Sequence, residues 1–229
     1  MKILGIDTST STLSIAVLDE NKVTAQCNKD FKKRTSDALI PTVKSVLKKA
    51  NIELSAIDAF AVGLGPGSFT GLRIGVSAVK GLSFATGKPI LGIPSLDTIA
   101  FNALPCTQYV CPLIDARRNK IYACVYKPVA GTPKKVSSYL LTDIDSLLQR
   151  ISKPIIFLGD AVSLYRDAIE KKLGKKALFE KHNQWYPRAQ NVVRLAKERY
   201  NTLKKVNPKS VTPLYLYPKE CQIKTVKRK

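Results

Sequence analysis

A strand, an aspartate, a polar turn and a second strand occur twice in this chain, and that repetition limits its possible folds more than any other feature. Ile3-Leu4-Gly5-Ile6 runs into Asp7, then the hydroxyl-rich Thr8 to Thr12, then the apolar run Leu13 to Leu18. At residue 109 the pattern begins again. Tyr109 to Ile114 leads to Asp115, then Ala116-Arg117-Arg118-Asn119-Lys120, then a strand from Ile121 to Tyr126. In both copies an Ile-Asp pair ends the first strand, and the second strand's first large apolar residue, Leu13 or Ile121, comes six positions after the Asp. The copies lie 108 residues apart. Used twice, the unit suggests a duplicated two-lobe α/β architecture; chance likeness of two hairpins is the alternative.

Between the copies the hydrophobic period changes. Val23 to Cys27 reads as a third strand, after which Leu39, Ile40, Val43, Val46 and Leu47 recur at three and four, predicting an amphipathic helix capped near Ser36 or Asp37 with Pro41 in its first turn. Residues 57–62 form a short apolar run, hence a buried strand. Pro89 to Ile93 is another strand, and Ser95-Leu96-Asp97 caps a helix to about Ala103. The second copy continues with a helix at 143–150, a strand at 155–158, a Gly159-Asp160 turn, a helix at 161–173 and a strand near 177–179. Val192 to Leu203 marks a last amphipathic helix, and the proline-bearing tail from Pro208 is extended. The boundary falls at about residue 106, giving lobes 1–106 and 107–229, with the tail from about 208 packing back on the first lobe.

The stretch GLGPGSFTGLRIGVSAVKGLSFATG at 63–87 is the least ordinary. Glycines and Pro66 break the preceding strand, and Ser68 or Thr70 caps the next element, a helix from about Gly71 to Ala85. Its face Gly71, Gly75, Ala78, Leu82, Ala85 is mostly small, although glycine costs a helix roughly 1 kcal/mol relative to alanine. Close approach by another backbone would explain it. Three readings stay open: tight packing on its own sheet, a phosphate cradle at a helix N-terminus, or a subunit interface. Neither the P-loop nor the Rossmann glycine pattern is present.

Charge is unevenly placed. The chain carries a net +21, but residues 1–110 hold 12 Lys/Arg against 8 Asp/Glu, and residues 111–229 hold 26 against 9. Such a second half suits a polyanion surface. The 229 residues can bury a real core, as one large domain or two small ones. The start MKILGIDTST lacks a secretory pattern and no apolar run is long enough for a membrane span, so a cytoplasmic location is expected. Cys27, Cys106, Cys111, Cys124 and Cys221 are odd in number and include no CxxC, predicting reduced thiols. A cysteine nucleophile would need a base, and the one histidine, His182, sits between Lys181 and Asn183 as an exposed polar residue.

A hairpin aspartate in each of two lobes is the pattern of the actin, sugar-kinase and heat-shock ATPase superfamily, a ribonuclease H-like fold whose lobes hold ATP. The likeness becomes specific in IDTSTSTLSIAV at 6–17, GPGSFTGLRIGVSAVKGL at 65–82, GIPSLDTIA at 92–100, IDARRNKIYACVY at 114–126 and LGDA at 158–161. These resemble the TsaB family, YeaZ in older, glycoprotease-like naming. The last third matches loosely, through Tyr186-Pro187-Arg188-Ala189 and the Pro-Leu-Tyr-Leu tail.

The resemblance implies a non-catalytic dimerisation subunit in formation of N6-threonylcarbamoyladenosine at position 37 of tRNAs reading codons that begin with A. A metal-bearing TsaD-type paralogue transfers the group and a TsaE-type ATPase restarts the complex. TsaB-type chains pair with the transferase through the helix after the GPGSFTG loop and the helix before it. That implies an interface of Leu39, Ile40, Val43, Leu47, Gly71, Leu72, Gly75, Ala78, Val79 and Leu82, so Gly75→Leu is expected to leave the monomer folded and abolish pairing. Homodimers in isolation and proximity of the basic second lobe to tRNA are also expected. The transferase binds metal through an HxxxH pair, whereas the matching segment here, Lys33 to Pro41, has no histidine, nor the His-Ser-Glu common in the family. No catalytic residue, metal or tightly bound cofactor is expected. Asp7, Thr8, Ser9, Asp115 and Arg117 stand as a vestigial nucleotide site, the preferred role of the aspartates being to cap their turns by Asx bonds. The rivals are an ATP-dependent phosphotransferase using Asp7 and Asp115, and a free-standing RNA-binding module.

Overall fold

The computed structural model describes residues 1–30, 35–204 and 206–217. The first lobe runs β1 (Lys2–Asp7), β2 (Thr12–Asp19), β3 (Lys22–Asp30), α1 (Thr35–Ala50), β4 (Ala59–Gly63), α2 (Phe69–Thr86) and β5 (Ile90–Ile93). α3 (Ser95–Ala100) leads to the second lobe: β6 (Tyr109–Arg117), β7 (Lys120–Ala123), β8 (Tyr126–Val129), β9 (Thr132–Lys135), β10 (Leu140–Thr142), α4 (Ile144–Leu148), β11 (Ile155–Leu158), α5 (Val162–Leu173) and β12 (Ala177–Phe179). α6 (Ala189–Glu198) and α7 (Tyr200–Leu203) complete the helices.

The two sheets repeat one topology. Strand order is β3-β2-β1-β4-β5 in the first and β10-β7-β6-β11-β12 in the second. In each, an antiparallel hairpin (β1–β2, β6–β7) carries the aspartate, and the hairpin's first strand pairs in parallel with the next strand inward (β4, β11). The β8–β9 hairpin is an addition with no first-lobe counterpart, and its Ala-Gly turn between proline-bearing strands gave no alternating signal in the sequence.

Both faces of β1, β2, β4 and β5 are buried, so these strands are nearly continuous apolar runs, whereas the edge strand β3 alternates and is half-exposed. Leu4, Ile6, Phe60 and Val62 point to α1 and α2, while Ile3, Ala59 and Ala61 point the other way, to α6. α6 therefore belongs with the first lobe. The expected division at 107–229 is corrected here: residues 189–203 cross back, with Val192, Val193 and Leu195 covering the outer face of the first sheet. Gly5 admits that crossing, since a Cβ there would stand 2.5 Å from Val193 Cγ1.

α1 starts at Thr35, which places Ser36 and Asp37 inside the first turn and Pro41 in the second, later than the sequence suggested. Residues 31–34, Lys205 and the tail from 218 on, with Cys221 and the basic end, lie outside the described residues. The described cysteines are free thiols, and burial pushes the Cys111 thiol up. No helix among the described residues is long and apolar enough to cross a membrane.

One buried charge joins the lobes. Asp97 on α3 accepts hydrogen bonds from the hydroxyls of Tyr126 and Tyr139, each at 2.7 Å, and from Arg199 at 2.8 Å. A buried carboxylate is tolerable when its lone pairs are filled this way. Burial, then the facing carboxylate, pushes both tyrosine hydroxyls upward.

Candidate functional site: the cradled turn and the interlobe cleft

The turn after β1 lies against the glycine-rich stretch at close range. Asp7 is 1% exposed; its Oδ1 accepts from Ser9 N (2.8 Å) and Ser9 Oγ (2.6 Å), and its Oδ2 from Ser95 Oγ (3.0 Å). Ser95 Oγ in turn accepts from Gly65 N at 3.1 Å. Thr8 Oγ1 donates to the Gly71 carbonyl at 2.7 Å, and Ser68 N donates to the Ser9 carbonyl at 2.7 Å. A Cβ at Gly63 would overlap the Asp7 carboxylate, at Gly67 the Ser9 carbonyl, at Gly71 the Thr8 carbonyl and at Gly75 the Thr8 hydroxyl. Four glycines thus form a mould for three residues. Burial raises the Asp7 carboxyl, against the lowering hydrogen bonds of Ser9 and Ser95.

Internal packing therefore accounts for Gly71 and Gly75, and two expectations need correction. Gly75→Leu cannot probe an interface on an intact monomer, because its side chain would collide with Thr8. In the implied interface set, Leu39, Val43, Leu47, Leu72 and Val79 are all buried within the first lobe's own core, as are Gly71 and Gly75. Of that set Ile40 stays exposed at 42%, and Ala78 and Leu82 are half-buried. The α2 surface that is free lies elsewhere. Gly81 is exposed and a Cβ there would meet nothing within 4 Å. Ser77, Ala78 and Ala85 flank it at helical spacing, and Phe84 beside it is 92% exposed. Gly81 and Phe84 went unnoticed because a glycine facing solvent and one facing a turn look alike in a sequence.

The second copy is built differently. Asp115 Oδ1 accepts from Arg117 N at 2.8 Å, the same i to i+2 Asx bond that Asp7 makes, and Oδ2 pairs with the Arg117 guanidinium at 2.9 Å. Asp160 Oδ1 accepts from Asp115 N at 2.9 Å, and burial raises the Asp160 carboxyl. Arg117, Arg118 and Asn119 all hold left-handed backbone angles, φ 64°, 53° and 56°. Between the turns lies a cleft of about 930 Å³, lined by Ser9, Thr10 and Ser11, by Ser68 to Gly71 at the start of α2, by Asp115, Arg117 and Asp160, and by Tyr122, Tyr186, Tyr215 and Tyr217. Thr8 is buried behind it, and Ser68 caps α2 by accepting from Gly71 N. His182 packs on Trp185 and Tyr186, and no metal-holding cluster occurs among the described residues.

A family model described as TsaD, tRNA N6-adenosine threonylcarbamoyltransferase, matches residues 29–225. The tRNA threonylcarbamoyladenosine biosynthesis protein TsaB of Bacillus subtilis (strain 168) is 35% identical over 202 residues, 87% of this chain and 88% of its own length. The chain belongs to the TsaB family. YeaZ from Pseudomonas aeruginosa superposes with a TM-score of 0.81 at 27% identity, covering 94% of this chain and 99% of that one. Component A of the (R)-2-hydroxyglutaryl-CoA dehydratase of Acidaminococcus fermentans superposes at a TM-score of 0.53 and 12% identity, over 88% of this chain and 100% of that one, and shares the fold alone. The two duplicated sheets are the actin-like architecture in its TsaB form. Within it the hairpin aspartates are occupied by their own turns, Asp7 wholly and Asp115 in part. Sequence reasoning also missed Ser95, which links Asp7 to Gly65, and Tyr215 and Tyr217, whose tail position gave no hint of the cleft.

Proposed function

We propose that this chain is a non-catalytic dimerisation and scaffold subunit in tRNA threonylcarbamoyladenosine biosynthesis, pairing in the cytoplasm with a metal-bearing transferase paralogue and its ATPase. The observation that carries this reading is the exposed stripe of α2. Gly81 costs the helix roughly 1 kcal/mol relative to alanine, and nothing inside the molecule explains it. Phe84 beside it leaves most of a benzyl side chain in water, forgoing about 1.5–3 kcal/mol of burial. A helix that approaches closely over Gly81 and covers Phe84 would offset both. A paralogue with a similar α2 fits such a face, as does a second copy when the paralogue is absent. Ile40 on α1 is a further exposed apolar residue of the first lobe. The basic second lobe is assigned to tRNA in the assembled complex, and ATP is consumed by the ATPase without tight binding to this chain.

The test is a light-scattering titration with the transferase subunit. Gly81→Leu is expected to keep or raise the monomer's melting temperature while abolishing the mixed dimer, and Gly81→Ala to weaken it less. A mixed dimer formed normally by Gly81→Leu would overturn the interface. The role is tested by reconstitution of carrier synthase, transferase, ATPase and tRNA with and without this chain, scoring modified adenosine by mass spectrometry. Equal multiple-turnover product without the chain would sink the scaffold reading.

A further inference from the structure

The tail forms one wall of the cleft. Val211 is buried in the first lobe's core, Leu214 N donates to the Leu64 carbonyl at 2.7 Å, and the Tyr215 ring lies 5.4 Å from that of Phe69 at the start of α2. Arg73 sits over the Phe69 ring and donates to the Tyr215 hydroxyl at 3.2 Å. Two residues on, the chain has reached the other lobe. Tyr217 meets Tyr122 edge-on at 6.1 Å and donates to the carbonyls of Ala116 (3.0 Å) and Arg117 (3.4 Å).

We propose that Val211–Tyr217 is a releasable latch that holds the two lobes together over the interlobe cleft. Its build separates it from the core it touches. The segment has no helix or strand, and beyond Val211 none of its residues is fully buried. Segments held by a few side-chain anchors and little backbone pairing open with less free energy than the core. The anchors straddle the cleft, so their release frees the left-handed turn at Arg117–Asn119 from the tyrosine hydroxyl and removes one wall of the cavity of about 930 Å³. The latch does not depend on the scaffold role.

Ala116, buried on the cleft wall with its carbonyl bonded by the Tyr217 hydroxyl, is the place for a reporter, and Cys111 on the same strand is a buried internal control. Ala116→Cys is made in the full chain, and maleimide labelling is followed peptide by peptide. Because a buried thiol reacts only when its surroundings open, the introduced thiol is expected to react at least roughly tenfold faster than Cys111. Adding Tyr217→Phe, which removes only the hydroxyl, is expected to speed it further, and Tyr215→Ala with Tyr217→Ala by roughly another tenfold, with Cys111 unchanged. If the introduced thiol and Cys111 react at one rate, the tail opens only with the whole molecule and the latch is refuted. If the tyrosine variants leave the introduced thiol's rate unchanged, the tail does not cover the cleft and the proposal also fails.

Discussion

The turns at Thr8–Ser11 and Ala116–Asn119 hold the same place in two copies of one sheet, yet they have opposite surroundings. The first is approached by backbone. Gly63, Gly67, Gly71 and Gly75 let β4 and α2 close on it, and its polar groups are filled from within the turn, from Ser95 and from the Ser68 and Gly71 backbone. The second is approached by side chains, the Asp160 carboxylate on one side and the Tyr217 hydroxyl on the other, and its arginines stand in solvent. In the first lobe the turn has become the seat of α2. In the second it remains a polar rim. The two copies share a topology, and the glycines of β4, the loop and α2 determine which turn is enclosed.

The largest effect should come from filling the mould. Gly75→Leu places a branched side chain where the Thr8 hydroxyl stands, and neither the buried turn nor the helix can move away cheaply. Overpacking of this kind is expected to cost about 3 kcal/mol, the upper end of its usual range, visible as a lower denaturant midpoint. A midpoint within experimental scatter of the parent would mean that the mould is loose and that the two turns differ little in rigidity.

Much of this fold was legible because its signals are local. The Ile-Asp pairs, the alternation of the hairpins and the three-four spacing of Leu39 to Leu47 each lie within a dozen residues. The partner that each small or polar residue meets was not legible. Gly75 and Gly81 sit six residues apart on one helix and look equivalent in the sequence, but one is enclosed by Thr8 and the other faces open space. Asp97 reads as a helix-capping residue, and its partners Tyr126, Tyr139 and Arg199 come from 29 to 102 positions away. The return of α6 to the first sheet was hidden because its amphipathic face says only that it packs, not on which surface.

A second effect tests burial of the charge in the first turn. Because burial raises the Asp7 carboxyl in the folded state, its contribution to stability is fully present below the unfolded value near 3.8 and is lost as pH rises through the folded value. Asn cannot ionise, so Asp7→Asn should compare worst with the parent at and below about pH 4 and gain on it as pH rises, until the folded value is passed. One unit of displacement corresponds to about 1.4 kcal/mol. Thermal melts of both proteins across that range check it, and a constant difference at every pH would show that the carboxylate suffers no penalty from its burial.

The smallest effect sharpens the comparison most directly, because it makes one substitution at matched places. Thr10 and Arg118 are related by the 108-residue repeat. Arg118 holds φ 53°, whereas Thr10 is not among the left-handed residues, and its Oγ1 accepts from Thr12 N at 3.3 Å. A non-glycine residue in the left-handed region carries about 1 kcal/mol of steric cost. Glycine removes that cost and gives back part of the gain through a freer unfolded chain. Arg118→Gly should therefore raise stability by about 0.5 kcal/mol, and Thr10→Gly should lower it by about 0.5–1 kcal/mol through lost rigidity and a lost turn hydrogen bond. Both are read from parallel denaturant titrations. Opposite signs would show that the same unit is relaxed in the first lobe and strained in the second. Equal losses would place the strain at Arg118 below the entropic cost of glycine, leaving the polar rim as relaxed as the cradled turn.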